Sequence, residues 1–344
     1  MPQPGFFDLD DRYRKLDEKD PLIHLDKLIF WDAFRPTLEE IRKKDRKSNA
    51  GRKAYDELLM FKVLILQHLY NVSDDQIEYQ IRDRYSFCRF LGLSPSDTIP
   101  DAKTVWLFRE RLVKANLMKR LFFTFDVQLE EHGFKARKGQ IVDASFVDVP
   151  KQRNTKEENE QIKRGERPKR FEENPNVGAQ KDTDARWAKK NKETHFGYKD
   201  HIVIDNANKL IRHYEVSSAE VHDSNHFEGL LTDNTSADVW ADSAYRSEAH
   251  EEDLQQSGYR SQVHKKGQRN KPLTDREKQS NTRKSTVRAR VEHVFGSMTN
   301  EQGGLYFRVI GLDRNALKIG MMNVVYNMRR FVTLCKRGVP EVYG

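Results

Sequence analysis

Cysteine is nearly missing from this chain: Cys88 and Cys335 are the only two in 344 residues. Two thiols exclude a disulfide framework and a cysteine-rich zinc site, and they fit a reducing compartment. Met1 to Asp20 is polar and charged, without the apolar core of a signal peptide. Long hydrophobic runs are lacking too. The most apolar stretch, Leu58 to Leu69, is interrupted by Lys62, Gln67 and His68, so nothing is expected to span a bilayer. There is no internal repeat, no His-Glu-x-x-His pair, no Gly-Lys-Ser phosphate loop and no Gly-x-Ser-x-Gly elbow. Zinc protease, NTPase and serine hydrolase are thereby disfavoured. The expectation is a soluble, cytoplasmic protein with no membrane partner.

What is present is charge. Lys and Arg number 61 against 53 Asp and Glu, a formal surplus of +8, and charged residues make up 33% of the chain beside 37% hydrophobic ones. That mixture sustains a core and excludes collagen-like and wholly disordered chains. The length suggests two domains. Between Arg260 and Arg314, 13 Arg and Lys face only 5 Asp and Glu, which locates the surplus in one stretch. A basic balance favours a nucleic-acid partner, reached through a stripe rather than a uniformly basic surface.

Residues 1–50 form an N-terminal arm with a short apolar segment, Pro21 to Trp31, and the basic run Arg42 to Lys47, either a connector or a DNA-facing loop. Residues 51–135 read as helical. Leu58, Leu59, Val63, Leu66 and Leu69 recur at near-helical spacing. Ser73-Asp74-Asp75-Gln76 has the form of a capping box opening a second helix. Asp101 caps a third, with Val105, Phe108, Leu112 and Val113 on its apolar side and Lys103, Arg109, Arg111 and Lys114 outside it. Such helices, the last one basic, suit either a helix-turn-helix entering a major groove or an ordinary helical bundle.

After Gly139 the pattern changes. Ile141 to Val149 is β-branched, Tyr198 to Asp205 and Leu210 to Val216 flank a hairpin-like turn, and Val239 to Asp242 and Tyr259 to Val263 are further short strands. Helices are expected at His222 to Thr232, Ser247 to Ser257, Val287 to Met298 and Asp313 to Phe331. The polar stretch 151–194 is almost free of aliphatic residues and is expected to be a mobile insertion that either covers DNA or is merely solvated. Residues 136–344 thus form an α/β layer around a mixed five-stranded sheet.

Three carboxylates stand out. Asp143 lies inside a strand, where an acid has poor propensity. Asp242 ends another strand, where open α/β sheets place ligands, and Glu292 interrupts an apolar helical run. Were these to converge, their hard oxygens would suit Mg²⁺, with Mn²⁺ as substitute. Two such ions, roughly 3.5–4 Å apart, stabilise the attacking and leaving oxygens of a phosphoryl displacement. Arg288, one turn before Glu292, is either its ion-pair partner or a cation for the scissile phosphate. Lys199 and His201 alternate onto one strand face, where phosphate contact is an option. Trp187 and Trp240 could stack on an extruded base, with core packing favoured for each.

Five motifs in order resemble a bacterial insertion-sequence transposase of the DDE type, most similar to the insertion-sequence-five family. They are Ile141-Val142-Asp143-Ala144-Ser145, Asp184-Ala185-Arg186-Trp187, His195-Phe196-Gly197-Tyr198-Lys199-Asp200-His201, Trp240-Ala241-Asp242-Ser243-Ala244-Tyr245 and Arg288-Ala289-Arg290-Val291-Glu292-His293-Val294-Phe295-Gly296. The resemblance implies an RNase H-like catalytic domain behind a helical DNA-binding domain, with Asp143, Asp242 and Glu292 as the metal-holding triad. It implies double-stranded DNA as partner, both transposon ends and target, and a homodimer at synapsis. Arg288 matches the Arg of the family's Tyr-x₂-Arg-x₃-Glu-x₆-Lys signature, but Ser285 stands in place of Tyr and Thr299 in place of Lys. Lys284, Arg290 or Lys265-Lys266 are candidates to grip the DNA end instead. A catalytically idle DNA-binding regulator and a nuclease without strand transfer are the rival readings.

Overall fold

The computed structural model describes residues 14–15, 19–42, 54–94, 96–190, 192–267 and 271–338. The basic run from 43 to 47, and residues 1–13 and 16–18 of the N-terminal arm, lie outside them. The chain forms two compact units, Met1–His132 with Met328–Tyr343, and Gly133–Asn327. The C-terminal segment thus returns to the helical unit, where continuity with the α/β unit was expected.

In the helical unit, α1 (Pro21–Leu28), α2 (Glu57–Tyr70), α3 (Asp74–Asp83), α4 (Tyr85–Leu91), α5 (Ala102–Ala115) and α6 (Met118–Glu131) follow one another. Side-chain caps set the starts of α2, α3 and α5: Asp56 accepts from Leu59 N, Ser73 from Gln76 N and Asp101 from Thr104 N. Each cap satisfies an amide that would otherwise lack a partner. Asn71, Gly92 and Asn116 end α2, α4 and α5 in the left-handed region. Phe34, Phe61, Leu64, Ile81 and Phe87 are among the fully buried side chains of this unit.

The second unit is built on a six-stranded sheet of β1 (Gln140–Asp148), β2 (Arg186–Lys190), β3 (Glu193–Asp205), β4 (Ile211–Ser218), β5 (Asp238–Trp240) and β6 (Arg260–Ser261). β1 runs antiparallel to β3, and β3 to β2 and β4, whereas β5 is parallel to both β1 and β6. The expected five strands are all present; β2 is the addition. Its side chains are mostly solvated on both faces, so it carries no alternating apolar signal.

Register fixes the faces of the sheet, because directly paired residues project to the same side. Val142 pairs with Val203 and Ala144 with His201, while Asp143 pairs with Ile202 and Ser145 with Asp200. Val142 and Val203 pack with Phe227, Leu230, Tyr245 and Leu254 in one core cluster, which draws on α8 (Glu248–Gln256). The expected helix at 222–232 is only a 3₁₀ turn and one short helix, Asp223–His226 and Phe227–Leu230. α9 (Asp275–Glu301) is far longer than expected. It opens on a reciprocal capping box between Thr274 and Glu277, packs against β1 and β5, and buries Val291, Val294 and Met298. Within α10 (Leu312–Lys336) the buried Asn323 and Asn327 hydrogen-bond Asp200 and Ile211.

Within 151–194, where a mobile insertion was expected, the described residues form helices and a strand. The stretch holds α7 (Lys156–Lys163), capped reciprocally by Thr155 and Glu158, two short helices, and β2. Three side chains anchor it. Ile162 and Phe171 are buried, each contributing about 1.5–3 kcal/mol of transfer free energy. Asp182 is buried as an acceptor for Tyr198 Oη at 2.7 and 2.8 Å, Ala185 N at 3.0 Å and Gly311 N at 3.1 Å. Gly197 lets β3 pass close to β1: with φ at +152°, a Cβ there would collide with the Val147 carbonyl oxygen.

Candidate active site

Asp143 and Asp242 are brought together by strand register. The parallel ladder pairs Gln140 with Val239 and Ile141 with Trp240. Two residues further along, the same count sets Asp143 beside Asp242, at the C-terminal end of β5 where its ladder stops. Asp242 leaves the strand as the N-cap of the turn Ser243–Tyr245, its Oδ1 accepting from Ala244 N at 2.6 Å. Asp143 Oδ1 accepts from Ala144 N at 2.9 Å, and its Oδ2 accepts from Arg288 Nη1 at 2.7 Å. Arg288 comes from α9, one turn before Glu292, and its Nη2 lies 3.6 Å from Glu292 Oε1. One guanidinium therefore spans the strand carboxylate and the helix carboxylate.

Burial raises the Asp143 pKa to about 6, with repulsion from Asp242 adding to the rise and Arg288 and the Ala144 amide opposing it. Burial likewise pushes the Tyr245 phenol well above its usual range, helped by the negative charges of Asp143, Asp223 and Asp242. Tyr245 Oη and Arg288 Nε are buried without a hydrogen-bond partner. The Glu292 side chain, by contrast, is 64% exposed. Among the described residues no three His, Cys, Asp or Glu side chains stand close enough to share one ion. Arg288 lies between two of the three instead. Asp143 and Asp242, adjacent by register and repelling one another, are the hard oxygen donors that suit a divalent cation there.

The other expected DNA contacts divide. Lys103 is exposed on the first turn of α5. Lys284 is half-buried, its ammonium donating to the Val263 carbonyl at 3.1 Å. Arg290 turns to the Asn206 carbonyl and side-chain oxygens at 2.6 and 2.7 Å, bracing α9 against the turn after β3. Three of the expected DNA contacts have partners within the protein. His201 is fully buried, its Nε2 2.8 Å from Ser217 Oγ, and burial lowers its pKa to about 3. Lys199 is buried and donates to the Val221 carbonyl and the Asp223 carboxylate, both at 2.7 Å. Both project from the sheet face opposite Asp143, so neither is placed to meet a phosphate there. Arg109 makes a bidentate pair with Asp74, 2.8 and 2.5 Å, which ties α5 to the start of α3. Trp187, expected in the core, is exposed on β2, tilted against Phe196 with Lys151 near its ring.

His264 and Arg246 were missed by sequence reasoning. His264 lies three residues after β6, and its N donates to the Ala241 carbonyl, next to Asp242. The signal available was position: the residues just past parallel strands are where α/β sheets bind ligands.

A sheet in which an antiparallel β1–β3–β4 run adjoins parallel β5 and β6, with helices packed on it, fits an RNase H-like fold. Residues 135–328 match the family described as the transposase DDE domain, and residues 10–111 match a second described as a transposase domain. The chain belongs to the DDE transposases of insertion sequences, DNA-cleaving and DNA-joining enzymes that generally use divalent metal ions. A solved structure, that of a piggyBac transposase synaptic complex with hairpin DNA, is similar at 13% identity and a TM-score of 0.47, covering 93% of this chain and 77% of that one. No helix among the described residues is long and apolar enough to cross a membrane.

Proposed function

We propose that this chain is a transposase of the insertion-sequence-five type that cuts the inverted-repeat ends of its own element and joins them to target DNA. Asp143, Asp242 and Glu292 are the residues that would hold Mg²⁺, or Mn²⁺ in its place. Bound there, the ions would activate the attacking oxygen and stabilise charge on the leaving one. In cleavage, a water oxygen bonds to the scissile phosphorus and the P–O3′ bond breaks, leaving a 3′-OH and a 5′-phosphate. In joining, that 3′-OH attacks a target phosphodiester and displaces the target's own 3′-oxygen. Each step makes and breaks one P–O bond, so one site serves both and no energy source is consumed.

Within this scheme Arg288 orients Asp143 and Glu292. Its bond to Asp143 and its approach to Glu292 are the observation that carries the reading, because they tie residues 145 and more positions apart into one cluster. The substrate is double-stranded DNA at the element's ends and at the target, and synapsis of two ends calls for a homodimer. Duplex DNA carrying the native flanks of the reading frame, incubated with Mg²⁺, tests the proposal. Cuts at short inverted repeats and joined products support it. Cleavage of wild-type strength by Asp242→Asn refutes the site assignment.

A further inference from the structure

The signature tyrosine position is Ser285, and its surroundings are unusual. Ser285 stands one turn before Arg288 on α9, exposed, with its Oγ 3.4 Å from His264 Nε2. His264 is fastened by its backbone to Ala241, the residue before Asp242. The preceding carbonyl, of Val263, accepts from two cations at once, Lys284 Nζ at 3.1 Å and Arg246 Nη1 at 3.2 Å. Arg246 is also within 3.4 Å of Glu251. Lys284 has no carboxylate at ion-pair distance among the described residues. Holding like charges together at one carbonyl costs free energy: Arg246 and Lys265 lower the Lys284 pKa alongside burial, which is the largest cause. Burial likewise lowers the His264 pKa, with Arg288 adding to this and Asp242 opposing it. An imidazole, a hydroxyl and an ammonium thus stand together beside Asp242, and the ammonium has a carbonyl rather than a carboxylate as its partner.

We propose that His264, held by Ser285 and backed by Lys284, binds a phosphate oxygen of the DNA strand beside the scissile bond, a grip this chain builds without the signature tyrosine. With the Ser285 hydroxyl as donor to Nε2, 3.4 Å away, the imidazole carries its proton on Nδ1, and that N–H is the donor to the phosphate. Lys284 supplies the long-range attraction, and its proximity to a carbonyl rather than a carboxylate leaves its charge available to the anion. His264 is therefore a binding residue of the strand, and Ser285 a positioning residue acting through it. This rests on the transposase reading of the same site.

Single-turnover cleavage of duplex end DNA in Mg²⁺ tests it, with binding followed by fluorescence anisotropy and folding by thermal melting. His264→Ala is expected to slow cleavage about 10- to 100-fold, as for loss of one preorganised donor. His264→Asn, whose amide can replace the Nδ1 donor, is expected to recover most of that rate. A neutral methylphosphonate at each phosphate flanking the scissile one, in turn, should at one position slow the wild type to the level of His264→Ala while leaving the variant unchanged. Equal cleavage by His264→Ala and wild type overturns the proposal. So does a slow His264→Asn, or a defect that adds fully to every methylphosphonate, since both mark a role in packing alone. Should wild-type protein cut no end DNA while Asp143→Asn is equally inert, it is the transposase reading that fails.

Discussion

Asp143→Asn should make the protein more stable and inactive at once. In the folded chain the carboxyl titrates at about 6 rather than its ordinary 3.8. At 1.36 kcal/mol per tenfold change, ionising it in place costs about 3 kcal/mol more than in the unfolded chain. The sign follows from linkage. A carboxyl with a raised folded pKa binds more protons folded than unfolded, so its stabilising contribution is complete below pH 3.8 and lost as pH rises through about 6. Asparagine keeps the shape and never ionises, but its single side-chain oxygen can accept from only one of Arg288 and the Ala144 amide, which bond different oxygens of Asp143. Some of the gain is offset because Arg288 loses its anionic partner. The expected net is about 1–3 kcal/mol at pH 7.5, a rise in Tm of several degrees for a unit of this size. Thermal melts of both proteins in EDTA between pH 4 and 8 measure it. The gain should vanish toward pH 4, and cleavage should be absent at every pH. A variant less stable than wild type at pH 7.5, or a gain undiminished at pH 4, would refute the electrostatic account of Asp143.

Two further outcomes follow from particular contacts. Tyr198→Phe removes the hydroxyl that donates to both oxygens of buried Asp182 and should destabilise the protein by about 1–3 kcal/mol, read as a lowered urea midpoint, with limited proteolysis cutting first within 151–185. End-DNA affinity should fall with salt, but less than the 13 basic residues of 260–314 suggest. Arg260, Lys265, Lys278 and Arg288 are already paired with Asp238, Glu277, Asp275 and Asp143. With those four discounted, nine cations remain, so a log–log slope no steeper than about −8, near 0.9 per phosphate neutralised, is expected, and a flat response would deny that stretch a role in DNA binding.

Much of the framework was legible because it is written in local chemistry. Helix starts follow from Ser73 and Asp101, whose side chains reach amides three residues on. The strand carrying Asp143 is marked by its β-branched neighbours. What sequence could not supply were relations between distant residues. The alternation of Lys199 and His201 shows that they share a face, but only the pairing of Asp143 with Ile202 reveals that it is the other face. Arg109 reads as an exposed cation off the apolar stripe, and its partner Asp74 lies on another helix. The packing of 151–194 rests on a few buried groups, Ile162, Phe171 and Asp182, rather than on any periodic pattern. His264 carries no motif at all; its significance comes from backbone pairing with Ala241.

The central claim is that Asp143, Asp242 and Glu292 form one catalytic site although only Arg288 now joins the strand and helix carboxylates. Glu292→Gln tests it most directly, since that side chain is exposed and its amide is nearly isosteric, so folding and DNA binding should persist. With the element's end DNA, target DNA and Mg²⁺, the account predicts wild-type affinity with neither 3′-OH release nor strand joining. Cleavage and joining by Glu292→Gln at the wild-type rate would contradict it.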